Sequence, residues 1–159
     1  SIIASRGESG SVLTYDSGAN LHKNGILIKT TVPSKLRKEL EIELALIAGK
    51  ILNELDYIGV MGIEFFVTSQ GLILNEFAPR VHNSGHWTLD GCLINQFEQH
   101  IRAISGWPLG STKRHSNVVM TNIIGEKITA DIKENQSIYS YGKKEIRSGR
   151  KMGHINTIY

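Results

Sequence analysis

Several things are scarce in this sequence of 159 residues, and each scarcity excludes something. It holds one cysteine, Cys92, so no internal disulfide can form, which excludes a disulfide-stapled secreted scaffold and fits a reducing compartment. With 3 prolines, 16 glycines and 21% charged residues, it is neither collagenous nor of low complexity nor composed like a disordered chain. No run of about 18 uncharged apolar residues occurs, so no helix is expected to span a membrane. Ser1-Ile2-Ile3-Ala4 lacks the basic start and apolar core of a signal peptide. The formal net charge of +3 is too small to imply a nucleic-acid partner on its own. The first residue is not Met and the chain opens inside a strand-like run, so a fragment of a longer protein is expected.

The hydrophobic content of 40% supports one compact domain or one domain with a small appendage. Ile2-Ile3-Ala4 and Val12-Leu13-Thr14-Tyr15 flank a turn-rich link and read as a hairpin. A third β run, Ile26–Thr31, follows the polar stretch 17–25. Pro33-Ser34 then opens a helix over 34–55, with Leu36, Leu40, Leu44, Ile47, Ile51 and Leu55 on one face. Residues 58–67 and 72–78 read as strands joined by Thr68-Ser69-Gln70-Gly71. After a loop over 79–90, a second helix is predicted over 92–105, stopped by Gly106. Trp107-Pro108-Leu109-Gly110 marks a boundary, giving segments 1–108 and 109–159; the second contains a strand over 118–124 and a basic tail of β character. The fold class is therefore α+β: an antiparallel sheet with packed helices, plus a small β-rich subdomain.

Chemistry concentrates in three places. If the turn between the central strands leaves three residues unpaired, Glu64 lies opposite Glu76 and both carboxylates share a face, their Cβ atoms about 4.5–5.5 Å apart; a two-residue turn puts them on opposite faces. On this register Val60, Phe66, Leu72 and Leu74 share the acidic face, and Met61, Ile63, Phe65, Ile73 and Phe77 the other. Two facing carboxylates are relieved by a proton held on one of them, by Arg80, or by a bridging divalent cation such as Mg²⁺; in another register each meets solvent. The following loop packs Arg80, His82, Asn83, Ser84, His86 and Thr88 into a few residues, donors suited to a small anion and developing charge. Trp87 reads as a packing residue. Third, Lys143, Lys144, Arg147, Arg150 and Lys151 against Glu145 give a local +4, compatible with a solvated surface, a nucleic-acid patch or a glycine-lined phosphate pocket. No aromatic residue is interleaved there, which disfavours single-stranded nucleic acid.

Asn75-Glu76-Phe77-Ala78-Pro79-Arg80-Val81-His82-Asn83-Ser84-Gly85-His86-Trp87-Thr88 resembles the signature loop of the N5-carboxyaminoimidazole ribonucleotide synthetases, ATP-grasp carboxylating enzymes of purine biosynthesis. The likeness continues through Asn20–Leu27, Gly59–Glu64 and Gly149–His154. Ala78 stands where many ATP-grasp ligases have Asn, which sets this family apart from other carboxylate–amine ligases. The resemblance implies the carboxy-terminal part of an ATP-grasp fold, inactive alone. The reaction it implies joins bicarbonate to 5-aminoimidazole ribonucleotide at the expense of ATP, through carboxyphosphate. It further implies that Glu64 and Glu76 ligate Mg²⁺ and that His22, Asn75 and Glu76 lie against the nucleotide. Arg80, His82, Asn83 and Ser84 would cradle bicarbonate and the transferring carboxyl group; Lys144, Arg147, Arg150 and Lys151 would hold the ribonucleotide phosphate. A cytoplasmic homodimer without nucleic-acid or membrane partners completes the implication. The competing readings are another ATP-grasp ligase and a non-catalytic basic binding module.

Overall fold

The computed structural model describes residues 1–128 and 131–159. Two antiparallel sheets form its frame. The first, in the order β2-β1-β5-β6, is built from β1 (Ile2–Arg6), β2 (Val12–Thr14), β5 (Gly59–Thr68) and β6 (Gly71–Ala78). The second, in the order β3-β4-β7-β9-β8, is built from β3 (Ala19–Lys23), β4 (Ile26–Val32), β7 (Val118–Ile124), β8 (Gln136–Ser140) and β9 (Lys151–Ile158). The expected hairpin is present, with Ala4 paired to Thr14. The second sheet runs across the expected boundary at 108/109, because β4 pairs with β7, Thr30 opposite Met120.

Strand alternation divides the core in two. Ile2, Ala4, Met61 and Ile63 point to one face of the first sheet, where Leu44, Ala48 and Leu52 of helix α1 (Lys38–Glu54) cover them. Ile3 and Val60 point to the other face and join Tyr15, Leu27, Trp87, Cys92, Val118 and Met120. Trp87 and Cys92 are thus core residues, at 1% and 5% exposure. No helix among the described residues is long and apolar enough to cross a membrane.

Three local readings needed correction. The first helix begins at Lys38 rather than 34, because Lys35 sits in the left-handed region at φ 62°, which breaks helical geometry after Pro33-Ser34. The predicted helix over 92–105 is two shorter ones, α2 (Thr88–Gly91) and α3 (Gln96–Ile104). Cys92 is extended and bridges Arg114, and Asn95 starts α3 by accepting hydrogen bonds from the N–H groups of Phe97 and Glu98. The polar stretch 17–25 contains β3, whose residues His22 and Lys23 pair with Leu27 and Ile26.

The β5–β6 hairpin also departs from the expected three-residue turn. Thr68 pairs with Gly71, so the turn holds two residues, not three. Phe65 pairs with Leu74 but Glu64 pairs with Glu76, so Asn75 is an extra residue in β6, a β-bulge. The bulge restores the facing of the two carboxylates that a two-residue turn alone removes. It also exchanges the outer apolar residues between faces: Ile73 pairs with Phe66, while Leu74 and Leu72 pair with Phe65 and Val67.

Candidate active site

Glu64 and Glu76 project from neighbouring strands, the first 5% exposed and the second open to solvent. The buried carboxylate is held from the second sheet: Asn20 Nδ2 donates to Glu64 Oε1 at 2.9 Å. Asn20 is oriented in turn, its Oδ1 accepting from Thr30 Oγ1 at 2.9 Å and from Ser1 Oγ at 3.1 Å. His22 Nε2 stands 3.6 Å from Glu64 Oε2. Among the described residues, the basic side chains within 4.0 Å of either carboxylate are the imidazoles of His22 and His82. Arg80 is exposed, its guanidinium donating to the carbonyl of Val81, and it does not neutralise the pair.

His82 comes down on the same pair from the loop after β6. Its Nε2 lies 3.6 Å from Glu76 Oε1 and its Nδ1 4.0 Å from Glu64 Oε1. Gly62 makes this approach possible, since a Cβ there would stand 2.3 Å from His82 Cβ. Ser84 lies beneath the ring, with Oγ 2.8 Å and backbone N 3.4 Å from Nδ1. A backbone N–H can only donate, so Nδ1 is the acceptor and the proton of the neutral ring sits on Nε2, toward Glu76. Burial lowers the His82 pKa, with Arg80 and Lys151 adding to the effect and the two glutamates opposing it. Asn83 is turned into the second sheet, exchanging amide hydrogen bonds with Asn122 at 2.9 and 2.7 Å.

Two adjoining clefts meet at the acidic pair. One, of about 690 Å³, is lined by Asn20, His22, Leu36, Glu64, Asn75 and Glu76. The other, of about 450 Å³, shares His22, Glu64 and Glu76 and adds His82, Lys143, Arg150 and Lys151. The glutamates therefore stand between a cleft with apolar walls and a cationic one. Lys143 Nζ donates to the carbonyl of Lys151 at 2.6 Å and sits 5.5 Å over the Tyr141 ring. Half-burial lowers the Lys151 pKa, joined by Lys143 and Arg80 and resisted by both glutamates.

A family model described as the ATP-grasp domain matches residues 1–97, more than half of the chain. The chain belongs to the ATP-grasp family. A second model, the phosphoribosylaminoimidazole carboxylase C-terminal domain, matches residues 118–159. Among curated relatives, the N5-carboxyaminoimidazole ribonucleotide synthase of Brucella melitensis is 53% identical, covering 99% of this chain and 45% of that protein. That of Bacillus subtilis is 42% identical, covering 98% and 42%. Among solved structures, the Thermus thermophilus synthetase superposes with a TM-score of 0.95 at 41% identity, covering 99% of this chain and 45% of that one. The Aspergillus clavatus synthase in complex with ADP and 5-aminoimidazole ribonucleotide superposes with a TM-score of 0.92 at 30% identity, covering 99% and 45%. The chain thus spans under half the length of the relatives it matches.

Within this ATP-grasp segment the donor set fits a hard divalent cation. Ligand atoms of Glu64, Glu76 and His82 all lie within 4.8 Å of one another. Because the His82 proton faces Glu76, the carboxylates are the oxygen ligands such a cation prefers, and the imidazole is left to hydrogen-bond. Of the residues expected at the site, the fold brings together His22, Glu64, Asn75, Glu76, His82, Arg150 and Lys151 along the two clefts. Ser84 is fully buried beneath His82. Arg80, Asn83, Lys144 and Arg147 do not line either cleft; Arg147 pairs with Glu145 at 2.7 Å on the surface. Sequence reasoning missed Asn20, whose motif position was visible but whose partner Glu64 is distant in the chain. It also missed Lys143, one cation among five in the basic run.

Proposed function

We propose that this chain is the carboxy-terminal part of a synthetase that carboxylates 5-aminoimidazole ribonucleotide with bicarbonate, converting ATP to ADP and phosphate and yielding N5-carboxyaminoimidazole ribonucleotide. The observation that carries this reading is the acidic pair standing between two clefts, one with apolar walls and one lined by Lys143, Arg150 and Lys151. The relatives supply the ribonucleotide and the adenine nucleotide, and the family resemblance implies the bicarbonate.

In this reading Asn75 and His22 contact the nucleotide in the larger cleft, and Glu64 and Glu76 hold Mg²⁺. Magnesium supplies neutralisation of charge among the phosphate oxygens when bound. Phosphoryl transfer is mostly positioning and electrostatics, so no covalent nucleophile is needed and Cys92 stays a core residue. Bicarbonate occupies the junction beside His82, whose Nε2–H is a directed donor there. Arg80 reaches the bicarbonate and carboxyl group from the rim, with Ser84 steadying the His82 ring and Asn83 tying the loop to Asn122. The ribonucleotide phosphate lies against Lys143, Arg150 and Lys151, with Lys144 and Arg147 adding attraction from the rim. A cytoplasmic homodimer and small-molecule partners belong to the same reading; the lone buried thiol supports the reducing compartment.

The test is turnover by the complete enzyme. ADP release must require both bicarbonate and 5-aminoimidazole ribonucleotide, and the 159-residue chain alone must show none. ADP release triggered by a different acceptor amine makes it another ATP-grasp ligase. Activity of the isolated chain refutes the fragment reading.

A further inference from the structure

Gln96, the first residue of α3, is fully buried and lines neither cleft, yet its carboxamide grips a single loop residue from both sides. Its Oε1 accepts from the backbone N–H of His82 at 2.9 Å, and its Nε2 donates to the backbone carbonyl of His82 at 2.8 Å. A backbone N–H only donates and a carbonyl only accepts, so these contacts fix which end of the amide is which. The second hydrogen of Nε2 then points to His86 Nδ1, 2.9 Å away. That ring nitrogen must be a bare acceptor, which leaves the His86 proton on Nε2.

The surroundings are built to keep the amide in place. The backbone N–H of Gln96 donates to Thr88 Oγ1 at 3.0 Å, and Thr88 Oγ1 donates to the carbonyl of Gly85 at 2.7 Å. Gly85 leaves the space: a Cβ there would stand 2.5 Å from Gln96 Oε1. The His86 ring is stacked between Phe97 and His154, with centroids 5.5 and 4.8 Å away. From the gripped backbone, the His82 side chain runs over Gly62 to its place 3.6 Å from Glu76.

We infer that Gln96 is a positioning residue, holding the His82 imidazole at the acidic pair through a two-point grip on its backbone and thereby setting His86 as the Nε2–H tautomer. The kinetic part rests on the proposed activity; the tautomer part does not.

Long-range ¹H–¹⁵N spectra of the histidine-labelled chain at neutral pH read the tautomer directly. The expected pattern for His86 is Nε2–H; an Nδ1–H ring or an imidazolium overturns the inference. In Gln96→Glu, of equal size and with nothing to donate once ionised, His86 must change to Nδ1–H or imidazolium at a pH where the new carboxylate is ionised, and an unchanged pattern in that folded variant overturns it. In the complete enzyme, Gln96→Met and Gln96→Glu should lower kcat by about 10- to 100-fold, as expected for a displaced catalytic group, while KM for ATP stays within about threefold. A folded variant with wild-type kcat overturns the positioning role; should Gln96→Met not fold, Gln96→Glu decides. A wild-type enzyme without turnover defeats the proposed function and leaves the spectra to judge Gln96.

Discussion

Gly62→Ala puts the packing of the site to a quantitative test. In a strand, replacing glycine by alanine ordinarily stabilises by about 0.5–1 kcal/mol, because the unfolded chain loses freedom. Gly62 is not among the glycines with positive φ, so the backbone accepts alanine and that gain is available. The obstacle is side-chain space: the new Cβ would lie 2.3 Å from His82 Cβ and 2.7 Å from its Cγ. Ordinary carbon contacts are about 3.5 Å, so His82 has to retreat by roughly 1 Å. Cβ and Cγ cannot swing aside like the end of a flexible chain, and Gln96 anchors the backbone behind them. Overpacking of this kind costs about 1–3 kcal/mol, which offsets the gain and leaves a net loss of up to about 2.5 kcal/mol. For a domain of this size that is a fall in Tm of up to about 10 °C, read by thermal unfolding, accompanied by displaced His82 ring signals. A Gly62→Ala chain that melts at or above the wild-type temperature with unmoved His82 resonances would refute the reasoning.

Three more outcomes are expected. Burial holds the pKa of His86 at about 3, with His154, His82 and Lys151 adding to the effect, and that of His154 at about 4, with Asp90 opposing. Their unfolded values lie near 6.5, so both support the fold above that pH and lose this support as pH falls toward 4, at about 1.4 kcal/mol per pH unit each; a Tm unchanged between pH 7 and pH 5 contradicts the buried neutral rings. Asn20→Ala frees the Glu64 carboxylate and should raise the Mg²⁺ concentration needed for ATP turnover by about tenfold, and an unchanged requirement removes Asn20 from the site. Lys143→Ala and Arg150→Ala should raise KM for the ribonucleotide while sparing KM for ATP, whereas Lys144→Ala should do less than either; the reverse order contradicts the placement of the cationic cleft.

The broad fold was legible because strand alternation and the apolar face of α1 are local patterns. What escaped was set at a distance or by a single residue. A three-residue turn predicts that Glu64 and Glu76 face each other, but their facing arises from a two-residue turn plus the bulge at Asn75, which no hydrophobic period records. The β3 strand is polar and exposed, so its signal is pairing with β4 rather than composition. The split between α2 and α3 was written in Asn95, a capping residue overlooked beside the periodic Phe97 and Ile101. Within the basic run, the order of side chains on the cationic wall depends on the turn leading into β9. Composition therefore identified the run but not Lys143. Gln96 is the extreme case, a buried amide that reads as an ordinary helical residue until its partners fourteen and ten positions earlier are brought beside it.

The most direct measurement is the turnover of Glu76→Gln and Glu64→Gln in the complete enzyme, at saturating ATP, bicarbonate and ribonucleotide. Each change keeps size and one acceptor oxygen, turns the other acceptor into a donating amide, and removes a charge from the pair that divides the two clefts. Losing one such electrostatic contact is expected to lower kcat by about a hundredfold or more in each variant, with folding intact by circular dichroism. Turnover within about threefold of wild type in either folded variant would contradict the central claim that these two carboxylates organise phosphoryl transfer.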